Sequence, residues 1–355
     1  MAKKMCFIGG GLEGGGMERA LTIMANYFAR NGYQVSVINL FRTIQFYELE
    51  SNIEIIWPKA ERNRYHRLVY ALIIIPYLRR VIRKIKPDVL LSYGEWYNPF
   101  VILSTRFLRI PLYVFDRMGP EIKLDKLVET SRKSLYRFAE GIIVQTNMAA
   151  RIIAKKTNVK KIAVIPNPVN ILDVQTSVKK NQIVSLGRLS REKGHLILIR
   201  AFSRISQRDW TLHIIGDGPE KLKLESEAAS LGILDRIKFY GHLKDFGQIM
   251  GESEIFVLPS FYEGFPNALI EAMSVPLACI SSDCVAGPSD IIEDGVNGLL
   301  VETGNVDALA NALNRLIENR DLREILASKA YKVRETLALD KIARNYLDFI
   351  IQENV

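Results

Sequence analysis

The chain has 355 residues, 48% of them hydrophobic and 25% charged, which excludes intrinsic disorder and allows a large core. At about 100–200 residues per domain, this length predicts two domains. Its three cysteines are too few and too scattered for a disulfide framework, and no C-x-x-C pair points to a zinc ribbon or thioredoxin-like site. The N-terminal apolar stretch is too short for a signal peptide, which favours the reducing cytosol.

The formal net charge of +9 is unevenly distributed. Residues 1–168 contain 27 Lys and Arg against 13 Asp and Glu, a balance of +14, whereas the remainder of the chain has a balance of −5. This asymmetry indicates that the first half meets something anionic, and the candidates are nucleic acid, a membrane surface and phosphorylated ligands.

Short apolar runs rich in Val and Ile alternate with helical patterns along most of the chain. Most runs are continuous rather than alternating, which is typical of strands covered on both faces of a parallel sheet. The sequence therefore predicts two doubly wound α/β domains. The strands are expected near 4–9, 34–40, 53–57, 88–93, 111–116, 140–145 and 162–166, and then near 182–187, 211–216, 236–240, 254–259, 276–281 and 298–301.

The domain boundary is predicted at Pro166-Asn167-Pro168, because prolines followed by the polar stretch 173–182 are typical of a hinge. Two such domains are expected to face each other with the carboxyl ends of both sheets on one cleft, where open α/β sheets bind ligands. After residue 301 the pattern becomes helical, and it predicts helices over 306–318, 321–335 and 340–353.

Residues 62–86 carry eight Lys or Arg and no acid. The apolar middle, residues 68–78, is far shorter than the ~20 residues needed to span a bilayer. Arg79, Arg80, Arg83 and Lys84 follow on the same expected helix, which Pro76 should break or kink. We favour a helix lying on an anionic membrane surface over a core helix with a solvated charged face, because the basic bias extends over the whole half.

Six glycines lie within the eight residues 9–16. Gly9-Gly10-Gly11-Leu12-Glu13-Gly14 matches the dinucleotide pattern G-x-G-x-x-G, but the second strand lacks the acid that would hold a ribose, so nicotinamide binding is discounted. Arg42 is the residue that could meet a 2′-phosphate. A tight turn needs one or two glycines, so this many predict a ligand close to the backbone, near a helix start that attracts anions.

The second domain carries two further motifs at strand ends. Residues 187–194 place Arg188 and Lys193 after its first strand, where Arg can grip phosphate oxygens at two points and Lys can supply a mobile charge. Residues 261–271 place Glu263 before a helix whose first turn should hold Pro266, so that Gly264, Phe265 and Asn267 present free backbone N–H groups. Glu263 could equally be an ordinary acid that complements the helix dipole.

Together these motifs resemble the retaining family-4 glycosyltransferases of the GT-B fold. The resemblance rests on Gly-Arg-Leu-x-x-Glu-Lys-Gly at 187–194, Gly-Asp-Gly-Pro at 216–219, the E-x7-E pair Glu263 and Glu271, and residues 286–301. In the first domain, residues 15–21 look like that family's donor-and-acceptor loop. The resemblance implies an acceptor-binding domain over 1–168, a nucleotide-sugar-binding domain over 169–338, and a C-terminal helix within 339–355 that crosses back to the first domain.

The family resemblance also implies roles for individual residues. Arg188 and Lys193 would grip the donor diphosphate in place of a metal, stabilising charge on the leaving group. Glu263 would bind the sugar hydroxyls and Glu271 the ribose. The expected donor-binding set is Gly15, Gly16, Gly187, His242, Leu243, Gly264, Phe265, Asn267 and Glu271, and the expected acceptor-side or membrane set is Glu18, Arg79, Arg80, Arg83 and Lys84.

One position departs from the commonest family pattern. Many relatives carry a histidine after the strand at 111–116, but this chain has Asp116-Arg117-Met118. Arg117 is expected to be the counterpart, with a cationic contact to donor or acceptor, and we place it with the catalytic residues. The alternative is a structural ion pair with Asp116 or Glu121. Of the histidines, His66 and His195 are expected to face solvent and His213 to lie in the core.

The sequence as a whole predicts a retaining, metal-independent glycosyltransferase without a cofactor. Its donor would be a UDP-sugar that carries a hexose or an N-acetylhexosamine. Its acceptor would be a lipid-linked oligosaccharide or a polysaccharide, at the inner face of the cell membrane, where the protein would be cytoplasmic and peripheral. The alternatives are a nucleotide-sugar epimerase that uses the same site, an NAD(P)-dependent enzyme, and a nucleic-acid binder, for which no recognition module is found.

Overall fold

The computed structural model describes residues 3–117, 126–172, 174, 178–243 and 245–351. All thirteen expected strands form, each within two residues of its expected position. The chain divides into two compact units: residues 1–168 with 339–355 make the first unit, and residues 169–338 make the second.

The secondary structure alternates between strands and helices up to the last strand. The strands are β1 (Lys4–Gly9), β2 (Gln34–Asn39), β3 (Glu54–Ile56), β4 (Val89–Tyr93), β5 (Leu112–Asp116), β6 (Gly141–Val144), β7 (Ile162–Val164), β8 (Gln182–Leu186), β9 (Thr211–Ile215), β10 (Ile237–Phe239), β11 (Ile255–Leu258), β12 (Ala278–Ser282) and β13 (Leu299–Val301). The helices are α1 (Gly16–Arg30), α2 (Arg67–Ile85), α3 (Asn98–Thr105), α4 (Lys126–Leu135), α5 (Asn147–Lys156), α6 (His195–Phe202), α7 (Lys221–Ser230), α8 (Gly247–Glu252), α9 (Asn267–Met273), α10 (Pro288–Ile291), α11 (Val306–Glu318), α12 (Arg320–Ala330), α13 (Val333–Thr336) and α14 (Leu339–Ile351).

Each unit contains one parallel sheet, as the continuous apolar runs predict. The strand order is β3-β2-β1-β4-β5-β6-β7 in the first unit and β10-β9-β8-β11-β12-β13 in the second. The order reverses where β1 meets β4 and where β8 meets β11; Met5 of β1, for example, lies between Val35 and Val89. Such switch points open a crevice at the carboxyl ends of the strands, which is where sheets of this type bind ligands.

The apolar middle of α2 is largely committed to the core. Its buried residues recur every fourth position, at Tyr70, Ile74, Leu78 and Ile82, and form the stripe that packs in the core of the first unit. The helix continues through Pro76, so the predicted break does not occur. Pro76 lies on the exposed side, and the buried residues before and after it hold both halves of the helix against the core.

The C-terminal helices differ from expectation at one point. The helix predicted over 321–335 is two helices, α12 and α13, separated by the turn at Tyr331 and Lys332. The last helix, α14, packs on the first unit. Its Tyr346 stacks on Phe115 with 5.4 Å between ring centres, which explains why the chain beyond residue 338 belongs with that unit.

Candidate functional site

Two loops at the carboxyl edge of the second sheet carry the residues that the motifs singled out. One loop follows β8 and holds Arg188 and Lys193, and the other follows β11 and holds Glu263. The backbone N–H of Phe261 donates to the carbonyl oxygen of Glu192 at 2.8 Å. The two loops are therefore hydrogen-bonded to each other at the switch point between β8 and β11.

Lys193 and Glu263 form an ion pair within this site. The Lys193 Nζ donates to Oε1 of Glu263 at 2.7 Å, and the Ser260 hydroxyl donates to the same oxygen at 2.7 Å. The side chain of Glu263 is 7% exposed and that of Lys193 27%. The sequence analysis assigned Lys193 to the diphosphate and Glu263 to the sugar, and it did not predict that they pair. Short motifs carry no information about a contact between residues 70 positions apart.

Two glycines explain how the loops fit together. Gly194 has a φ of +68°, and a Cβ at this position would overlap the carbonyl oxygen of Pro259. Gly216 of the Gly-Asp-Gly-Pro motif has a φ of +141°, and a Cβ there would overlap the carbonyl oxygen of Gly187. Only glycine satisfies both the positive φ and the close approach. These motif glycines therefore position the loop that carries Arg188 and Lys193.

The side chains around Lys193 differ in exposure. Arg188 is exposed, whereas His195 is only 3% exposed, so the prediction that His195 faces solvent is wrong. His195 begins α6 directly after the loop, and its ring lies 3.7 Å from where a Cβ of Gly187 would be. Burial, aided by the charge of Lys193, lowers the pKa of His195 to about 4. The imidazole is therefore neutral at physiological pH.

The segment that begins α9 matches the expectation only in part. Pro266 is the cap that precedes the helix and does not lie in its first turn. The backbone N–H of Asn267 donates to the carbonyl oxygen of Phe265 at 2.9 Å, so it is not free for a ligand, contrary to prediction. Gly264 is partly exposed and Phe265 is buried. Glu271 is 5% exposed within α9 and accepts a hydrogen bond of 3.4 Å from the Asn170 side chain.

Two other motif segments occupy different environments. His242 is exposed after β10, and Leu243 packs against the apolar core near β11. The segment 294–300 forms a turn that the Asp294 carboxylate closes by accepting from the backbone N–H of Leu300 at 2.9 Å, while the Asn297 side chain donates to the carbonyl oxygen of Ile291 at 3.0 Å. Asp294 and Asn297 thus fix the conformation of the loop before β13.

The glycine loop of the first unit is closely packed. A Cβ on Gly10 would come within 2.7 Å of the Tyr97 ring, and a Cβ on Gly11 within 2.6 Å of the Thr43 hydroxyl. Contacts with protein side chains are therefore enough to explain these two glycines. The number of glycines in this loop is then weaker evidence for a ligand close to the backbone. Gly15 caps α1, and the carboxylate of Glu18 lies against it, so an acid already faces this helix start.

Arg117 is held by the C-terminal helix. Its Nη2 donates to the Tyr346 hydroxyl at 3.2 Å, and its guanidinium carbon lies 5.1 Å from the centre of the Tyr93 ring. Asp116 pairs with Arg132 instead, so the alternative ion pair of Arg117 with Asp116 does not form, and Glu121 and Met118 lie outside the described residues. Burial raises the pKa of Asp116. The Nε and Nη1 atoms of Arg117 are buried without a hydrogen-bond partner.

The basic residues of α2 lie on its outer side and towards its end. Arg80, Arg83 and Lys84 are exposed, and the Nη1 of Arg79 donates to the carbonyl oxygen of Arg106 at 3.0 Å, which ties α2 to the end of α3. Within the part of the chain that the structure describes, no helix is long and apolar enough to cross a membrane. Across the same residues, no three His, Cys, Asp or Glu side chains are grouped to hold a metal ion.

Comparison with solved structures identifies the class of fold. The chain aligns over 99% of its length, and 99% of the other chain, with the apo form of the lipopolysaccharide outer core galactosyltransferase WaaB, at a TM-score of 0.81 and 23% identity. It also aligns with Anabaena HepE in complex with UDP at a TM-score of 0.83 and 19% identity, covering 98% of this chain and 100% of that one. Two parallel-sheet units with this likeness define the GT-B glycosyltransferase fold.

Sequence comparison identifies the family. The model for Glycosyltransferase Family 4 matches residues 14–171, and that for Glycosyl transferases group 1 matches residues 171–333. The chain therefore belongs to the family-4 glycosyltransferases and is an enzyme of the transferase class.

Two curated relatives illustrate the family. One is the GalNAc-alpha-(1->4)-GalNAc-alpha-(1->3)-diNAcBac-PP-undecaprenol alpha-1,4-N-acetyl-D-galactosaminyltransferase of Campylobacter jejuni, which is 26% identical over 98% of both chains. The other is the lipopolysaccharide 1,6-galactosyltransferase of Salmonella typhimurium, which is 26% identical over 88% of this chain and 89% of that one.

Proposed function

We propose that this glycosyltransferase moves a hexose or N-acetylhexosamine from a UDP-sugar to a lipid-linked or polysaccharide acceptor, with retention of the anomeric configuration and without a metal or other cofactor. The observation that carries the proposal is the Lys193–Glu263 pair, with the exposed Arg188 on the same loop, at the switch point of the second sheet. Such a site offers cations for a diphosphate and a carboxylate for sugar hydroxyls.

In this proposal the two cations act on the leaving group. Arg188 and Lys193 bind the diphosphate and stabilise the negative charge that develops on it as the sugar departs, and electrostatic stabilisation of this kind usually contributes more to catalysis than any other single effect. The hydrogen bonds from Lys193 and Ser260 both reach Oε1 of Glu263, so Oε2 is the atom that accepts from hydroxyls of the donor sugar. The ion pair also fixes the lysine in place before the donor arrives.

The other predicted residues bind the remaining parts of the substrates in the proposal. Glu271 binds the ribose, the backbone near Gly264 meets the sugar or phosphate, and His242-Leu243 lies against the base. Arg117 makes a cationic contact with donor or acceptor. Two relatives support the acceptor class, since one acts on an undecaprenol-linked sugar and the other on lipopolysaccharide. Complexes of HepE with UDP and with UDP-glucose support the donor.

A thermal-shift panel of UDP-, GDP-, ADP- and dTDP-sugars tests the donor. A ligand that binds only the folded protein stabilises it by about 2.7 kcal/mol at a hundredfold excess over Kd, so the UDP-sugar should raise the Tm and the others should not. Stabilisation by a different nucleotide sugar would contradict the UDP assignment. If the reaction is independent of metal ions, transfer should persist in excess EDTA, and loss of activity would refute this. The anomeric coupling constant in the NMR spectrum of the product tests retention, which a product of inverted configuration would refute.

The location of the enzyme is part of the proposal. The exposed Arg80, Arg83 and Lys84 on α2 would hold it at an anionic membrane surface, with about 1 kcal/mol from each basic residue. Changing these three residues to Ser should release the protein from anionic liposomes at moderate salt. Changing three basic residues of the second unit, Arg191, Lys329 and Lys332, to Ser removes the same charge and should not. Equal release of both variants would refute a specific membrane face.

A further inference from the structure

An exposed patch of basic and apolar residues lies at the amino edge of the first sheet. The strands are parallel, so the segments that enter β5 and β6 both meet this edge, opposite the carboxyl edge where the crevice opens. These two neighbouring segments supply six exposed residues, which we call the Phe107 patch: Leu103, Arg106, Phe107, Arg109, Arg137 and Phe138. The patch therefore lies at the opposite end of the sheet from the glycine loop and Arg117.

Phe107 combines an unfavourable backbone conformation with high exposure. Its φ is +70°, in the left-handed region that destabilises a residue other than glycine, and it is 80% exposed. Arg109, two residues later, has a φ of +54°. Among the residues that the structure describes, Lys86 directly after α2 is the one further non-glycine residue with a positive φ. Strain that the fold retains at an exposed aromatic residue points to a binding role for that residue.

Arginine side chains lie beside both aromatic rings of the patch. The guanidinium carbon of Arg106 is 3.8 Å from the centre of the Phe138 ring and 5.0 Å from that of Phe107. The guanidinium carbon of Arg137 is 4.8 Å from the Phe138 ring centre. Guanidinium groups bind phosphate oxygens at two points, and the rings offer apolar surface. The patch is therefore amphipathic, with phosphate-binding and apolar groups side by side.

The patch has a strong positive charge. Residues 96–115 and 130–139 contain no Asp or Glu. The flanking acids Glu129 and Glu140 each pair with a lysine. Asp88, which precedes β4 at the same edge, accepts at 2.8 Å from the first backbone N–H of β1. The charge of this edge is therefore complementary to an anionic surface.

The patch is continuous with the basic side of α2. The Nη1 of Arg79 donates to the carbonyl oxygen of Arg106 at 3.0 Å, so the second half of α2 lies beside the patch. The exposed residues of that half, Arg80, Arg83 and Lys84, are all basic, and the apolar stripe of α2 is buried in the core. This half of α2 can therefore attract an anionic membrane, but it offers little apolar surface to enter one.

We propose that the Phe107 patch is the apolar anchor of the membrane face, with the Phe107 ring in the boundary between headgroups and acyl chains of an anionic bilayer and the arginines on lipid phosphates. This inference rests on the membrane location in the proposed function and names the residues that enter the bilayer. The basic residues of α2 draw the protein to the surface, and Phe107 holds it there. Because the patch is opposite the crevice, the carboxyl edge of the sheet stays open to substrates.

A tryptophan at position 107 reports insertion directly. Phe107→Trp is made together with Trp57→Phe and Trp96→Phe, which leaves the buried Trp210 as the other tryptophan. Vesicles of phosphatidylglycerol and phosphatidylcholine should shift the emission to shorter wavelength, and brominated acyl chains should quench it. Vesicles of phosphatidylcholine alone should do neither. Leu222→Trp in the same background is the control, because Leu222 is also 80% exposed but lies in the second unit, and its emission should not change.

Vesicle sedimentation separates the apolar from the electrostatic contribution. Phe107→Gly should weaken binding to the anionic vesicles about tenfold or more, and by a similar factor at low and high salt, because burial of an aromatic ring is not screened. Changing Arg106, Arg109 and Arg137 to Gln should also weaken binding, but this effect should fade as the salt rises. Leu222→Gly should change the Kd by less than about twofold.

The choice of glycine guards against loss of binding through unfolding. Glycine adopts a positive φ without steric cost, so Phe107→Gly should not lower the midpoint of urea unfolding. A variant that is at least as stable as the unmodified protein but leaves the vesicles is expected from a binding role and not from a structural one. A lowered midpoint would show that Phe107 serves the fold, which would overturn the proposal.

The outcomes separate this inference from the proposed function. An unshifted emission of Phe107→Trp on anionic vesicles, an equal shift in Leu222→Trp, or unchanged vesicle binding of Phe107→Gly would each overturn the anchor. If these tests succeed while the Ser variant of Arg80, Arg83 and Lys84 stays on the vesicles, the α2 face is refuted and the anchor stands. Absence of UDP-sugar binding would refute the proposed donor, whatever the vesicles show.

Discussion

The Lys193–Glu263 pair should contribute both to the stability of the second unit and to catalysis. A double-mutant cycle measures the coupling free energy between the two side chains. Lys193→Met keeps the length and apolar stem of the side chain but removes its charge. The Glu263 carboxylate then retains only the hydrogen bond from Ser260. Glu263→Gln keeps the size and the acceptor for Ser260, and it leaves Lys193 partly hydrated, since that side chain is 27% exposed.

The magnitude follows from the burial of the pair. Hydrogen bonds to charged groups contribute about 1.5–3 kcal/mol when buried, and the partial exposure of Lys193 moves the expectation to the lower part of this range. We therefore expect a coupling free energy of about 1–2 kcal/mol. The Lys180–Glu252 pair of the same unit, at 2.6 Å with the lysine 52% exposed, serves as the control and should couple by less than about 1 kcal/mol.

Urea unfolding followed by Trp210 fluorescence is the assay, because this tryptophan is buried in the core of the second unit. Trp57→Phe and Trp96→Phe remove the signals of the first unit. With donor and acceptor, Lys193→Met should lower kcat by about 10²–10³, the loss typical of one electrostatic donor to a transition state, while Glu263→Gln should weaken UDP-sugar but not UDP. A coupling no larger than the control, or near-normal turnover of Lys193→Met, would refute the reasoning.

Three further predictions follow from single contacts. Gly194→Ala should destabilise the second unit by at least about 2 kcal/mol more than Gly232→Ala. Both positions have a positive φ, but of the two only Gly194 faces a carbonyl oxygen. Equal losses of unfolding free energy in urea would contradict this. His195 has a folded-state pKa of about 4, below its ordinary 6.5, so the stability it contributes is present above pH 6.5 and lost as the pH falls towards 4. His195→Phe should therefore flatten the decline in unfolding free energy between pH 7 and 4.5, and an unchanged slope would exclude His195 as its source. Tyr346→Phe keeps the ring stack but removes the acceptor for Arg117, so kcat/KM should fall about three- to tenfold with little change in Tm; unchanged kinetics would show that this contact does not position Arg117.

The strands could be predicted from the sequence because each is short, apolar and continuous. Runs such as Ile183-Val184-Ser185 are buried on both faces, and the physical cause of that pattern, helices on both sides of a parallel sheet, is the same for every strand. The loops that follow the strands were located for the same reason, since a strand's carboxyl end fixes where its loop begins.

The contacts between side chains in these loops could not be predicted. The bond from Arg117 to Tyr346 spans 229 positions, and the pairing of Lys193 with Glu263 spans 70. The glycine loop was interpreted as a ligand site because the sequence could not reveal that Tyr97 and Thr43 lie against Gly10 and Gly11. Periodicity reports which face of an element is buried, but it does not report what lies against that face.

The docking of α14 on the first unit has a consequence for how the enzyme is made. The ribosome completes residues 1–168 and must then add the whole second unit, which takes roughly 10–30 s at typical rates of synthesis. Throughout that interval the faces of Tyr113 and Phe115 that later meet Phe349 and Tyr346 have no cover. The Tyr346 hydroxyl that accepts from Arg117 also belongs to this helix. A chain that stops before residue 339 should therefore expose these aromatic faces and be prone to aggregation, and its Arg117 would lack this hydrogen bond.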